Sequence, residues 1–353
     1  MQGDNGSNTG VVAALGAALL FGAGTPLAKL LLGDVGPWML AALFYLGSGL
    51  GLAIYRLARR SAPVRLPAGE AYWLAGATMA GGVIGPVLLM AGLVGMPASG
   101  ASLLLNAEGV FTALLAWIAF RENFDRRIAL GMASIAAGAV LLSWPQDDVS
   151  FAGLWPALSI LGACLAWGID NNLTRKVSLN DATWIASVKG LVAGSVNLAL
   201  AVATGDRLPA LPVLGAAMLV GLLAYGVSLA LFVVSLRHLG TARTGAYFSV
   251  APFFGATLAL ASGEAVTARL MAAGLLMGLG VWLHLTEKHE HPHAHEPMDH
   301  EHEHAHDAHH QHEHPDQPGL MLAPGQKHSH AHQHQTMEHA HAHFPDAHHR
   351  HGH

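Results

Sequence analysis

The stretch LLFGAGTPLAKL (residues 19–30) returns later in the chain as LAWGIDNNLTRK (165–176). Phe21 meets Trp167, Gly22 meets Gly168 and Lys29 meets Arg175. Further along, Glu122 lines up with Glu264 and Gly138 with Gly280. A bilayer-crossing helix needs about 20 largely apolar residues. Runs of that kind lie at 11–32, 36–57, 71–93, 97–119 and 127–144, and again at 154–174, 182–204, 211–236, 241–262 and 267–286. Five spans per half is an odd number. The second half therefore enters the membrane from the opposite face, the arrangement of an inverted-topology repeat, with a binding site near the midplane between the halves. The expected fold is an all-α integral membrane protein of ten transmembrane helices in two inverted five-helix repeats. Pro26, Pro86 and Pro252 fall inside spans and predict kinks or broken helices.

Composition supports a membrane protein. Of 353 residues 52% are hydrophobic and 12% charged, against roughly 25% charged in a soluble domain. The charge is unevenly spread. Residues 1–286 hold 15 Lys+Arg and 12 Asp+Glu, whereas 287–353 hold 3 and 11. The chain thus reads as a short cytoplasmic N-terminus (1–10), a first repeat (11–144), a second repeat (153–286) and a tail (287–353). Residues 1–10 carry no Lys or Arg, so they lack the basic region of a secretory signal and the first span is expected to stay as an anchor. With the N-terminus inside, twelve basic loop residues face the cytoplasm and only Arg207 and Arg269 face out. The positive-inside rule then puts both termini in the cytoplasm of a cell whose inner (plasma) membrane holds the protein. The lone Cys164 allows no internal disulfide, and no glycine-rich phosphate loop is present.

The stretch LLLNAEGVFTALLAWIAFRENFDRRIALGMASIAAGAVLL (103–142) and its counterpart ending ASGEAVTARLMAAGLLMGLGVWL (261–283) resemble the EamA-type branch of the drug/metabolite transporter superfamily. The resemblance covers about residues 11–286. It implies ten transmembrane helices, both termini inside, no enzymatic activity, and secondary transport, often export, of small metabolites. One departure stands out. The second half has Pro252 in its fourth helix, as the family usually does, but the first half has Glu108-Gly109 at the matching place.

An ionisable residue at the bilayer centre costs roughly 2.5–3.5 kcal/mol on insertion scales, so it should face the bundle interior with a partner or a task. Glu108 lies at the centre of its span, about 15 Å from either surface at 1.5 Å per residue. It reads either as a proton- or cation-coupling and substrate site, or as a static pair with Lys29 or Lys189. Asn106, two residues away, points to another face. Lys189 lies too deep to reach water easily, and Asp170 sits in the inner third of its helix. Tyr225 and Tyr247 each offer a ring and a hydroxyl to a midplane pocket, or a bond to a carbonyl freed by Pro252. Glu122 and Glu264 are expected to cap or pair with the helix that follows each.

The tail holds 23 of the 25 histidines. HEHPHAH supplies His289, His291, His293 and His295; HEHEHAH supplies His300, His302, His304 and His306; HSHAHQH supplies His328, His330, His332 and His334. Low hydrophobicity with Pro, Asp and Glu predicts disorder. Neutral imidazoles ligate Zn, Ni, Cu and Co, so the tail is expected to bind divalent transition metal, although transport needs no cofactor. Expected partners are a small-molecule substrate and the lipid bilayer. A homodimer is allowed, and nucleic acid is excluded because the tail is acidic and lacks basic clusters with aromatics. The favoured function is a proton-coupled exporter of small metabolites or drug-like compounds. The alternatives are a divalent metal (Ni/Co/Zn) exporter with a metal-collecting tail, or a metal-responsive membrane sensor.

Overall fold

The computed structural model describes residues 3–64, 66–120, 126–144, 151–177, 180–232, 234–235, 244, 247–285, 290–294, 298–305, 327–334 and 338–342. The chain divides into two compact units, Met1–Glu287 and Lys288–His353.

Among the described residues of the first unit, all regular secondary structure is helical. The α-helices run α1 (Gly3–Leu31), α2 (Pro37–Ala58), α3 (Ala68–Ala77), α4 (Gly85–Gly95), α5 (Ala98–Leu104) and α6 (Ala107–Phe120). They continue with α7 (Arg126–Ser143), α8 (Phe151–Thr174), α9 (Ala182–Ala203), α10 (Leu211–Gly221), α11 (Ala251–Ala261) and α12 (Ala268–Leu285). Among the described residues, seven helices are long and apolar enough to cross a membrane, and three shorter apolar ones lie at Ala129–Ser143, Ala251–Ala261 and Ala268–Leu283. All fall on stretches the sequence marks as spans. Side chains such as Leu57, Ile118 and Leu275 are exposed, as a lipid-facing surface requires.

Local chemistry sets the helix ends. Pro37 opens α2, where its missing N–H is no loss. Asp181 caps α9, accepting from the Thr183 N–H at 2.8 Å and the Trp184 N–H at 3.2 Å. Arg56, in the last turn of α2, donates to the same carboxylate at 2.5 Å and to the Thr183 hydroxyl at 2.9 Å. Burial pushes the Asp181 carboxyl up, but hydrogen bonds from Thr183, Arg56 and the Trp184 N–H outweigh it and hold the group at about 2.

The prolines act unequally. α1 runs on through Pro26. Pro86 follows a π-helical segment, Thr78–Ile84, and Pro252 follows a turn at Ser249–Val250 that starts α11. Two irregularities occur without proline. A turn at Leu105–Asn106 separates α5 from α6, and a second π-helical segment spans Leu222–Val227 after α10. Each π-helical segment is thus followed, further along the chain, by a helix break.

Packing relies on close backbone approach. α2 lies along α9, α7 along α12, α4 and α6 on α8, and α1 against α11. A Cβ added to Gly49 would come 2.5 Å from the Leu191 nitrogen, and one added to Gly194 would come 2.7 Å from the Leu46 nitrogen. In the α7–α12 pair, Gly138 faces Ala273 and Met277, while Gly280 faces Gly131 and Ile135. Small residues at these crossings let helices touch where no hydrophobic driving force operates between them.

In the second unit, β1 (Glu290–Ala294) pairs antiparallel with β4 (Glu338–Ala342), and β2 (Met298–Ala305) with β3 (Lys327–His334). These four short segments are the described residues of this unit. Their His-x-His alternation is the period-2 pattern that suits a strand. The register sets His300 opposite His332, His302 opposite His330 and His304 opposite His328.

Replacing Gly49 with Ala should lower the thermal unfolding midpoint of the purified protein in detergent, by the equivalent of about 1–3 kcal/mol of overpacking. Gly215, in α10, has nothing within 4 Å of an added Cβ. Gly215→Ala should leave the midpoint unchanged or raise it through helix propensity. Equal midpoints for the two variants would contradict the close α2–α9 crossing.

Candidate functional site

The site grows from the π-helical segment Thr78–Ile84. A helix opened to that register cannot satisfy all its carbonyls when a proline follows. The Gly85 N–H bonds back to Ala80, and Pro86 has no N–H to offer the next carbonyls. Side chains fill the gap. The Tyr45 hydroxyl donates to the Gly81 carbonyl at 2.7 Å, the Trp167 indole donates to it at 2.9 Å, and the Asn197 amide donates to the Gly82 carbonyl at 3.0 Å. α2, α8 and α9 are thereby fixed around one point.

Asp170 fits beside it because residue 81 is glycine. A Cβ at Gly81 would lie 1.9 Å from an Asp170 carboxylate oxygen. That carboxylate accepts from the Lys189 ammonium at 2.5 and 2.7 Å and from the Thr174 hydroxyl at 2.7 Å. The ion pair is mostly shielded, with side chains 15% and 11% exposed. Lys189 is thus the partner of Asp170. The sequence reading offers Lys189 or Lys29 as a static partner for Glu108; in the structure both lysines have other partners. Lys29 donates to the carbonyls of Leu93 and of Val94, near the end of α4.

Glu108 stands in the first turn of α6, just after the break. One oxygen accepts from the Asn171 amide at 2.9 Å, and the same amide donates to the Thr112 hydroxyl at 3.2 Å. Among the described residues no cationic side chain pairs with Glu108. Asn106 lies in the break itself, is 7% exposed, and donates to the Leu103 carbonyl at 2.9 Å, turned toward Met277. It does not share a contact with Glu108.

Tyr225 sits in the second π-helical segment. Its ring lies 5.4 Å from that of Tyr45, 5.8 Å from Phe44 and 5.9 Å from Phe21. Phe248 continues the cluster, 5.4 Å from Phe21. Tyr247 is 37% exposed, and its neighbour Phe248 takes the place in the ring cluster.

Glu264 behaves differently from expectation. Instead of capping its own following helix, it accepts from the N–H groups of Ala98 at 2.7 Å and Ser99 at 2.9 Å. It therefore caps α5 in the other half. Glu122 lies outside the described residues, as do His289, His295 and His306; the other tail histidines named above lie in the paired strands.

Sequence reasoning missed Tyr45. Its signal was available: a hydroxyl-bearing ring in the middle of an otherwise apolar span has to find an acceptor.

The model of the EamA-like transporter family matches residues 8–144 and 154–286. An uncharacterized transporter of Methanothermobacter thermautotrophicus is 27% identical over 296 residues, covering 78% of this chain and 85% of that protein. A probable amino-acid metabolite efflux pump of Salmonella typhimurium is 26% identical over 266 residues, covering 70% of this chain and 85% of that one. A solved crystal structure of a protein, 17% identical, has a TM-score of 0.59 over 79% of this chain and 95% of its own. That likeness bears on fold alone.

The Asp170–Lys189 pair makes a sharp forecast. Removing one member of a shielded ion pair strands the other charge and costs about 3–5 kcal/mol. Asp170→Asn and Lys189→Met should each lower the unfolding midpoint strongly, and the double variant should recover most of the loss. If Glu108→Gln rescued Lys189→Met and Asp170→Asn did not, the pairing described here would be wrong.

Proposed function

The chain belongs to the EamA-like transporter family, and from that premise we propose a proton-coupled exporter of a small metabolite, built as ten transmembrane helices in two inverted five-helix repeats. Family membership makes it a multi-pass membrane transporter of small molecules and not an enzyme. The repeat is supported by the paired π segments, the paired helix breaks and the reciprocal glycine contacts of α2 with α9 and α7 with α12. The loop charges support an inner-membrane protein with both termini in the cytoplasm.

One observation carries the coupling. Glu108 has an uncharged partner, Asn171, while both nearby lysines are engaged elsewhere. A carboxylate in a membrane interior without a fixed counter-charge is stable only when it takes up a proton or a cationic substrate. Exchange of those two occupants couples their fluxes. Asn171 accommodates either state, since its amide donates to an ionised oxygen and its carbonyl accepts from a protonated one.

Glu108→Gln should abolish gradient-driven transport in proteoliposomes while the protein remains folded and inserted. Full activity with an unchanged pH profile would sink the coupling role.

We further propose that the histidine tail is an accessory that binds divalent transition metal. Truncation after Lys288 should leave metabolite flux intact and cut Ni or Zn binding by more than ten-fold in equilibrium dialysis. Binding to the full chain should weaken as pH falls through about 6.5, because protonated imidazole cannot ligate. A truncated protein that moved a divalent cation and no metabolite would make the cation the cargo.

A further inference from the structure

The contacts of the bundle match positions of one half to positions of the other. Gly49 faces Leu191 as Gly194 faces Leu46, and the same step along α2 and α9 makes Phe44 the counterpart of Lys189. Gly82 faces Ala193 as Gly226 faces Ser48, which makes Tyr225 the counterpart of Gly81. The repeat in α1 and α8 matches Phe21 to Trp167 and Gly24 to Asp170. The breaks at 105–106 and 249–250 match Glu108 to Pro252.

These counterparts differ in a consistent way. Where one half carries Asp170, Lys189 and Glu108, the other carries Gly24, Phe44 and Pro252. Where the charged half has Gly81, the other has Tyr225. The Asp170 carboxylate fills the space over Gly81 that a side chain would occupy. On the opposite side Gly24 meets only Ala224, and the Tyr225 ring packs on Phe21 and Phe44. Trp167 donates its N–H to Gly81; Phe21, in its place, has no N–H and packs its ring edge-to-face with Tyr225. With Lys189 neutralising Asp170, the charged side carries one unpaired negative charge, on Glu108.

We infer that the midplane site is chemically two-ended and takes an organic ammonium compound with an aromatic or bulky apolar body in one fixed orientation, its ammonium at Glu108 and its body against Tyr225 and Phe21. Ionised Glu108 selects the cation, and the electron-rich ring faces hold the apolar body and add cation–π attraction near the head. This rests on the transport reading above and specifies its substrate.

The test uses the full-length protein and three probes: phenethylamine (ammonium and ring), ethylamine (ammonium alone) and 3-phenylpropionate (ring and carboxylate). Binding is measured by titration calorimetry in detergent, and flux in proteoliposomes under an imposed pH gradient. Phenethylamine should bind at least ten-fold tighter than ethylamine, and 3-phenylpropionate should not compete. Tyr225→Ala should collapse that ten-fold preference, and Tyr225→Phe should keep it. Phe21→Leu should reduce it too, and serves where Tyr225→Ala does not elute as a single species. Equal binding of phenethylamine and 3-phenylpropionate, a preference that survives both ring-removing variants, or no binding of either amine overturns the inference. If the binding order holds but no probe moves with the gradient, the transport reading falls and the two-ended site stands.

Discussion

Backbone carbonyls inside a bilayer have no water to bond, so each must find a donor within the protein. Pro86 creates that problem at Gly81 and Gly82, and the answer organises the centre of the molecule. Tyr45, Trp167 and Asn197 each bring a donor from a different helix. Those three bonds fix α2, α8 and α9 around the π segment. Asp170, one turn beyond Trp167 on α8, then meets Gly81, the residue small enough to admit it. Lys189 on α9 is delivered to the same spot by the helix that Asn197 anchors. The ion pair is therefore a consequence of how the broken helix is satisfied.

The same economy operates at the helix ends. Glu264 bonds the first free N–H groups of α5, and Arg269 donates to the Leu141 carbonyl at 2.5 Å and to that of Trp144, near the end of α7. Both bonds run from the second half to the first. Arg56 and Asp181 make a third such link between α2 and α9. Helix termini carry partial charges of about half an electron. Oppositely charged side chains from the other half neutralise them and join the halves where lipid offers no hydrophobic drive.

Much of the bundle was legible in the sequence because apolar length and turn residues are local signals. The described helices fall where runs of apolar residues lie, and the unit boundary at Glu287 follows the change in charge and histidine content. The failures concern azimuth and distant contact. Depth alone put Glu108 near Lys189, whereas helix rotation gives Lys189 to Asp170. The break at Leu105–Asn106 has no proline to announce it; it follows a run of small residues, Ala98 to Ser102, that packs against α11. Glu264 was assigned to the helix nearest in sequence, because nothing in the chain marks that α5 begins beside it.

The inverted repeat proposed above poses a difficulty for recognition. If the side chains of its halves matched as their helices do, a ligand at the axis could bind in two reversed orientations with equal energy, and each carboxylate would have a twin. Here the proposed counterparts diverge around Gly81 and Glu108 while the α2–α9 and α7–α12 crossings stay alike. Gly49 and Gly194 keep the α2–α9 contact symmetric, as Gly138 and Gly280 keep the α7–α12 contact. Asp170, Lys189 and Glu108 have no charged twins. On the proposed repeat, the matched contacts lie at helix crossings, and the divergent side chains lie where the two-ended site is proposed. Pairing Asp170 with Lys189 completes that division. It neutralises one of the two carboxylates within the protein, so that in the coupling proposed above Glu108 is the one left to an exchangeable occupant.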